Sequence, residues 1–125
     1  MIKFEREQVL LLQRTIIKRT GGSDGVRDYN LLDSAINSAY QTFGGEDHYK
    51  TVLEKGARLG FSLVSNHAFV DGNKRIGVLV MLTFLKINGV NLSLTDMDVI
   101  DIGLSLADGS MDYDKLLKRL EKHCV

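Results

Sequence analysis

The fold of this chain is decided by the segment from about Lys74 to Asn88, which reads KRIGVLVMLTFLKIN. Apolar residues recur on nearly every side of the helix that this segment predicts, whereas a surface helix keeps one polar face. These residues are Ile76, Val78, Leu79, Val80, Met81, Leu82, Phe84, Leu85 and Ile87. A helix that is apolar all round belongs at the centre of a bundle, so we expect other helices to surround this one.

The rest of the chain shows helical periodicity in further stretches. It contains no proline, and most of its 12 glycines stand where a periodic stretch ends, as at helix C-termini. Five more helices are predicted, at about Glu5–Thr20, Tyr29–Thr42, Thr51–Asn66, Thr95–Leu106 and Asp112–His123. Two extended pieces, Gly44–Lys50 and Val90–Leu94, could make a small hairpin or flap. The predicted fold is all-α, a compact bundle of about six helices in a single domain over residues 1–125.

Composition limits the classes of function. Sixteen lysines and arginines balance 16 acidic residues, so no overall positive field favours nucleic acid or an anionic membrane. The single cysteine, Cys124, excludes a zinc site built from several cysteines and fits a reducing compartment. The N-terminus lacks the pattern of a signal peptide, and no apolar stretch is long enough to span a bilayer. We expect a soluble cytoplasmic protein that binds neither nucleic acid directly nor a membrane.

Most of the chemistry lies in nine residues at the start of the apolar helix, His67-Ala68-Phe69-Val70-Asp71-Gly72-Asn73-Lys74-Arg75. They lead from one predicted helix into the next, and the free backbone N–H groups at a helix start form an anion site. Gly72 would allow a positive φ that turns successive N–H groups towards one point. Lys74 and Arg75 add positive charge, and the planar fork of Arg75 matches phosphate oxygens.

A carboxylate beside such an anion site is unfavourable unless a cation lies between them. Mg²⁺ binds through one or two carboxylates together with phosphate oxygens, so it would reconcile Asp71 with a bound phosphate. His67 could then be the general base for an incoming hydroxyl, because imidazole gains and loses its proton near neutral pH. Phe69 is predicted to point inward and anchor the loop.

Each of these residues also has a simpler interpretation. His67 could merely end a helix, Asp71 or Asn73 could cap the fourth helix, and Lys74-Arg75 could be a solvated pair. Two observations favour a joint functional interpretation. All these features fall within one short loop, and the helix that follows is too apolar to lie on the surface.

The nine residues resemble the signature of the Fic/Doc family, H-x-F-x-[D/E]-[G/A]-N-x-R, at every defined position. The likeness extends to residues 25–32, 43–49 and 84–89, and therefore covers nearly the whole chain. The short length matches the Doc (death-on-curing) toxin branch. The resemblance implies a Fic/Doc-like fold with ATP and Mg²⁺ as cofactors.

Site roles follow from the same resemblance. It implies that His67 is the general base, that Asp71 is the Mg²⁺ ligand, and that Gly72, Asn73, Lys74 and Arg75 hold the nucleotide phosphates. Gly45, Glu46, Asp47, His48 and Tyr49 would belong to a flap that aligns the target segment by β-strand pairing. His48 and Tyr49 are explained equally well as polar residues of an exposed loop. We interpret Arg27-Asp28 as a loop ion pair or a helix start.

Two residues depart from the pattern of the AMP-transferring Fic proteins. That pattern has a glycine where Lys74 stands and a second arginine where Val78 stands. The lysine crowds and recharges the anion pocket, and the valine removes a phosphate contact. Doc-type toxins carry this lysine, and the resemblance implies that they bind the nucleotide the other way round and transfer its γ-phosphate.

By resemblance, the chain is a toxin that phosphorylates a threonine of a translation factor, elongation factor Tu in the known case, and so halts translation. The inhibitory motif [S/T]-x-x-x-E-[G/N] of self-restrained Fic proteins is absent from the sequence. Restraint would then come from a separate, cognate antitoxin that inserts a helix over the site. The alternatives are a Fic-type adenylyl transferase, and a phosphate-binding partner of an antitoxin that has lost its chemistry.

Overall fold

A computed structural model describes all 125 residues and contains six helices and one two-stranded hairpin. In chain order these are α1 (Arg6–Thr20), α2 (Tyr29–Ser38), β1 (Thr42–Phe43), β2 (Glu46–Asp47), α3 (Val52–Asn66), α4 (Asn73–Ile87), α5 (Asp96–Asp108) and α6 (Tyr113–Lys122). The prediction of an all-α bundle of about six helices with a small hairpin is confirmed. None of the helices combines the length and the apolar character that crossing a membrane requires.

The apolar helix α4 lies at the centre, as its sequence predicts. Five of its side chains are fully shielded from solvent: Ile76, Val80, Met81, Phe84 and Leu85. Helices α1, α3 and α5 all pack against it, and α3 makes the most extensive contact. Only Ile87, in the last turn, leaves the core and is 47% exposed.

Glycines let α3 and α4 approach each other closely. A Cβ atom on Gly60 of α3 would lie 2.7 Å from the Met81 sulfur, and one on Gly77 of α4 would lie 2.5 Å from Cγ2 of Val64. These separations are shorter than van der Waals contact, so only glycine fits. Because the chain passes from α3 directly to α4, this packing also fixes both ends of the loop that contains His67 and Asp71.

Side-chain caps define where several helices begin. Thr51 and Glu54 form a reciprocal capping box at α3. Thr95 and Asp98 form another at α5, where their spacing in the sequence predicts one. Asp28 caps α2 by accepting hydrogen bonds from the N–H groups of Asn30 and Leu31. The interpretation of Arg27-Asp28 as a helix start is therefore confirmed, and the ion-pair alternative is wrong.

The second helix ends earlier than predicted, at Ser38 rather than Thr42. Thr42 and Phe43 instead pair with Asp47 and Glu46, and the intervening Gly44 and Gly45 have φ of 60° and 83°. Two successive residues with positive φ make the tight turn that matches the twist of a hairpin. The glycine pair therefore turns a hairpin and does not simply stop a helix.

The other extended piece, Val90–Leu94, takes no part in this hairpin. Its Leu92 forms an isolated bridge with Cys124 near the C-terminus. Hydrogen bonds from Ser93 N–H to the His123 carbonyl (2.7 Å) and from Val125 N–H to the Asn91 carbonyl (3.0 Å) hold the two segments together. The prediction that this piece contributes to a flap is wrong because its backbone pairs with the chain after α6.

We expect Gly77→Ala to lower the free energy of unfolding by about 1–3 kcal/mol, although alanine is the better helix former. The added Cβ would press on Val64 Cγ2 and on the backbone of α3, neither of which can move freely. Urea denaturation followed by circular dichroism measures the change. Gly103→Ala in α5 is the matched control, because its Cβ would crowd only the flexible stem of Lys74, at 3.3 Å, and would make an ordinary contact with Cγ2 of Val78 at 3.6 Å. Equal losses in both variants would show that α3 and α4 are not held at contact distance.

Candidate active site

The loop between α3 and α4 begins with a left-handed residue, His67. Its φ of 50° and ψ of 46° end α3, and it is the only non-glycine residue with a positive φ. The side chain of His67 is exposed. The simple interpretation of His67 as a helix end is thus true of its backbone, and the same turn presents its imidazole to solvent.

Buried residues and one amide side chain fix the middle of the loop. Phe69 is only 1% exposed and belongs to the core, so the prediction that it points inward is confirmed. The Asn73 amide accepts a hydrogen bond from the Phe69 N–H (2.9 Å) and donates one to the Phe69 carbonyl (3.1 Å). Asn73 therefore closes the loop on itself and does not cap α4. The N-cap is Gly72, with a φ of 76°.

The start of α4 offers an anion site of the predicted kind. The backbone N–H groups of Asn73, Lys74 and Arg75 have no hydrogen-bond acceptor in the structure. The Arg75 guanidinium lies beside Gly72 and donates to the hydroxyl of Thr20 at the end of α1. Thr20 in turn donates to the Ile16 carbonyl at 2.8 Å. This chain of hydrogen bonds holds Arg75 next to the free N–H groups.

Asp71 is exposed at the edge of the same anion site. Its carboxylate accepts hydrogen bonds from the Gly72 N–H at 2.8 Å and from the Ser23 N–H at 3.4 Å. No group of three or more His, Cys, Asp or Glu side chains surrounds it, so the chain has no preformed metal cage. A single carboxylate suits Mg²⁺ that arrives on phosphate oxygens and keeps several waters, and it does not suit a resident structural metal.

The two residues that depart from the AMP-transferring pattern both face α5. The stem of Lys74 packs close to Gly103, where the absence of a side chain makes room for it, and its ammonium end is exposed. Val78 is only 6% exposed and also lies next to Gly103. An arginine side chain at position 78 would leave the backbone beneath α5, whereas the Lys74 side chain leaves it at the edge of the site.

An apolar groove begins where the loop ends. It has a volume of about 350 Å³ and runs between α1, α4 and α5. Lys74 and Arg75 line it together with Ile16, Val78, Leu79, Leu82, Val99, Ile100, Gly103 and Leu104. A second hollow of about 310 Å³ shares Leu82 and Val99 with the first and reaches Lys86. The two hollows adjoin at Leu82 and Val99, and Lys74 lines the first and Lys86 the second.

The predicted flap is attached to the start of α3. The buried ammonium of Lys55, in the first turn of α3, donates to the Asp47 carboxylate at 3.1 Å and to the Tyr49 carbonyl. His67 follows Lys55 by 12 residues of helix, which is roughly 18 Å along the axis. No hydrogen bond joins Gly45, Glu46, Asp47, His48 or Tyr49 to the loop.

Sequence reasoning missed the residues that support the loop from the α1–α2 connection. Thr20 holds Arg75, Ser23 contacts Asp71, and the Arg27 guanidinium donates to the His67 carbonyl. The available signal was the glycine-rich stretch Gly21–Gly25, which has room for a close backbone approach. A Cβ on Gly22 would lie 2.6 Å from a carboxylate oxygen of Asp71.

Comparison with known proteins agrees with this geometry. The model of the Fic/DOC family matches residues 3–85, which include α1 to α3, the whole loop and α4 as far as Leu85. The chain belongs to the Fic/DOC family. It is also 43% identical, over 103 residues, to a protein of Mycolicibacterium smegmatis named Toxin Doc, and the match covers 80% of this chain and 78% of that protein. The fold and the family expected from the nine-residue loop are therefore confirmed.

We expect Gly22→Ala to weaken binding of Mg²⁺ together with ATP by about tenfold, because its Cβ would displace the Asp71 carboxylate. Gly21→Ala is the matched control. Both glycines have a positive φ, so both variants carry a backbone strain of about 1–3 kcal/mol, but nothing lies within 4 Å of a Cβ on Gly21. Isothermal titration calorimetry gives the affinity, and thermal melting gives the strain. Equal affinities would show that the position of Asp71 does not matter for binding.

Proposed function

We propose that this chain is the toxin of a toxin–antitoxin module, and that it acts as an Mg²⁺-dependent protein kinase using ATP. The γ-phosphate would pass to a hydroxyl, best a threonine, of a translation factor such as elongation factor Tu. One observation carries the proposal: His67 and Asp71 flank a helix start whose free N–H groups lie beside the cationic side chains of Lys74 and Arg75. The family and the relative named Toxin Doc support it.

The chain's own residues divide the work of phosphoryl transfer. The free N–H groups of Asn73, Lys74 and Arg75 and the Arg75 guanidinium bind the phosphate oxygens. His67 takes the proton as the target hydroxyl attacks the γ-phosphorus, and the bond from that phosphorus to the bridging oxygen breaks to release ADP. Mg²⁺ at Asp71 would neutralise charge on the phosphates.

Transfer of AMP is the second candidate, and the surroundings of Val78 argue against it. The second arginine of the AMP-transferring pattern would have to emerge from a buried position under α5. Lys74 instead places its charge at the rim, where it can meet a terminal phosphate. This charge distribution would favour a nucleotide that binds with its γ-phosphate at the site.

The protein target and the hairpin need a separate account. Lys55 ties the base of the hairpin to the first turn of α3, and His67 lies roughly 18 Å further along that helix. A folded target of the size of a translation factor spans this distance. We therefore propose the hairpin as a second, remote contact for the target, and a cytoplasmic location where such a target resides.

We expect the purified chain, in the presence of Mg²⁺, to transfer label to elongation factor Tu from γ-labelled ATP and none from α-labelled ATP. His67→Ala should lower the transfer rate by at least about 100-fold, because the hydroxyl then has no base. Autoradiography and mass spectrometry of the target give the result. Label from the α position would contradict the kinase proposal and favour AMP transfer. If His67→Ala arrests growth as strongly as wild type on expression, the loop is not catalytic and the non-enzyme alternative stands.

Restraint by a cognate antitoxin fits the groove beside the site. The groove and the adjoining hollow together span Lys74 to Lys86, 12 residues and roughly 18 Å along α4, which is the length of about three helical turns. Ile100 and Leu104 line it and are 53% and 51% exposed, an unusual exposure for large apolar side chains that face a groove. An antitoxin helix with an apolar face and acidic residues at its ends would bury both and reach the anion site.

We expect Leu104→Glu to abolish neutralisation by the antitoxin encoded alongside the chain, while the toxic activity persists. A carboxylate on the groove wall would lose its hydration when an apolar helix docks. Co-purification and rescue of growth on co-expression measure the effect. Met97→Glu is the matched control, because Met97 is also an exposed apolar residue of α5, at 71%, but it does not line the groove. Equal neutralisation of both variants would place the antitoxin elsewhere.

A further inference from the structure

We propose that Arg27 is a positioning residue that aims His67 by holding its backbone carbonyl. Two donors of the Arg27 guanidinium, Nε and Nη2, bind the His67 carbonyl oxygen at 2.9 and 2.7 Å. This inference rests on the proposed role of His67 as the general base. It adds a residue outside the nine-residue loop to the machinery of the reaction.

His67 adopts a conformation that an L-residue with a side chain rarely takes. Its φ of 50° ends α3 in the left-handed region, a position that glycine usually fills at the end of a helix. The helix end also leaves carbonyl groups without helical partners. The guanidinium fork satisfies the carbonyl of His67 itself, and a charged donor gives a stronger bond than a neutral one. The Arg27 guanidinium therefore holds the turn that carries the imidazole, through the carbonyl of His67 itself.

The backbone around Arg27 reinforces the same turn. The N–H groups of Arg27 and Asp28 both donate to the Ala68 carbonyl, at 2.8 and 3.1 Å. The Val70 N–H donates in return to the Gly25 carbonyl at 3.2 Å. The segment before α2 thus lies alongside residues 67–70 and carries the guanidinium to its place.

No carboxylate competes for Arg27. The neighbouring Asp28 uses its side chain to cap α2, through Asn30 and Leu31, and Arg27 takes part in no salt bridge. Because Asp28 fixes the start of α2, the backbone of Arg27, directly before it, has a defined position. The contact of Arg27 is with the carbonyl of His67 and not with its imidazole, so its effect must pass through the orientation of the base.

The test compares Arg27→Met, which removes the fork, with Arg27→Lys, which keeps the charge without the fork. We expect Arg27→Met to lower kcat for label transfer by about 10- to 100-fold and Arg27→Lys to restore part of it, with KM for ATP changed less than about twofold. In a His67→Ala background, Arg27→Met should cause no further loss. Arg6→Met is the matched control, because Arg6 makes a similar fork with Asp33 away from the loop.

A second readout does not depend on activity. The ¹³Cα and ¹³Cβ chemical shifts of His67 report its φ, and we expect them to leave the left-handed range in Arg27→Met but not in Arg6→Met. Thermal melting of each variant shows that it is folded. Wild-type shifts in folded Arg27→Met together with unchanged kcat would overturn the inference.

Two other outcomes separate the proposals. If Arg27→Met raises the Kd for Mg²⁺–ATP more than about fivefold, also in the His67→Ala background, Arg27 grips phosphate directly and the positioning role is wrong. If wild type transfers the α-label, the kinase proposal fails, but the same variants still test Arg27 through the label that is transferred. If wild type transfers neither label, the proposed function fails and the His67 shifts alone decide on Arg27.

Discussion

The close contact between α3 and α4 fixes the separation of the two helices, and the rest of the structure depends on that separation. Gly60 and Gly77 leave no space for a methyl group between the two helices, and Met81 and Val64 fill the positions opposite them. The C-terminus of one helix and the N-terminus of the other therefore meet at a set separation, and a loop of six residues joins them. A helix start with free N–H groups is held rigidly beside a helix end that presents a histidine.

Within this frame the loop is over-determined by hydrogen bonds. Asn73 binds both backbone groups of Phe69, and Phe69 is itself buried in the core. From the other side, Arg27 and Thr20 hold His67 and Arg75. Apart from Val70, the side chains that are left exposed are those of His67, Asp71 and Lys74, to which the proposed reaction assigns a chemical role. Such preorganisation lets electrostatic and proton-transfer groups act without reordering.

Many of these features could be predicted from the sequence because they are local. The apolar run after Lys74 identifies a central helix, Thr95 and Asp98 identify a capping box, and Gly72 identifies a turn with positive φ. Errors arose where one residue type has two uses. Gly44-Gly45 follow a predicted helix, where glycines are typical of a helix end, but they form a hairpin turn, since a glycine pair serves both. Asn73 was considered a cap, but its amide binds Phe69 because Gly72 already occupies the N-cap position.

The sequence by itself determined the fold class, the family and the residues of the nine-residue loop, because helical periodicity and a contiguous motif are written in neighbouring positions. Only the tertiary structure decided which distant residues support that loop. Ser23 and Asp71 are 48 positions apart, and Arg27 and His67 are 40 apart, so no local pattern joins them. It also decided that Lys55 holds the hairpin at the far end of α3, since the length of a helix, and not closeness in sequence, sets the distance to His67.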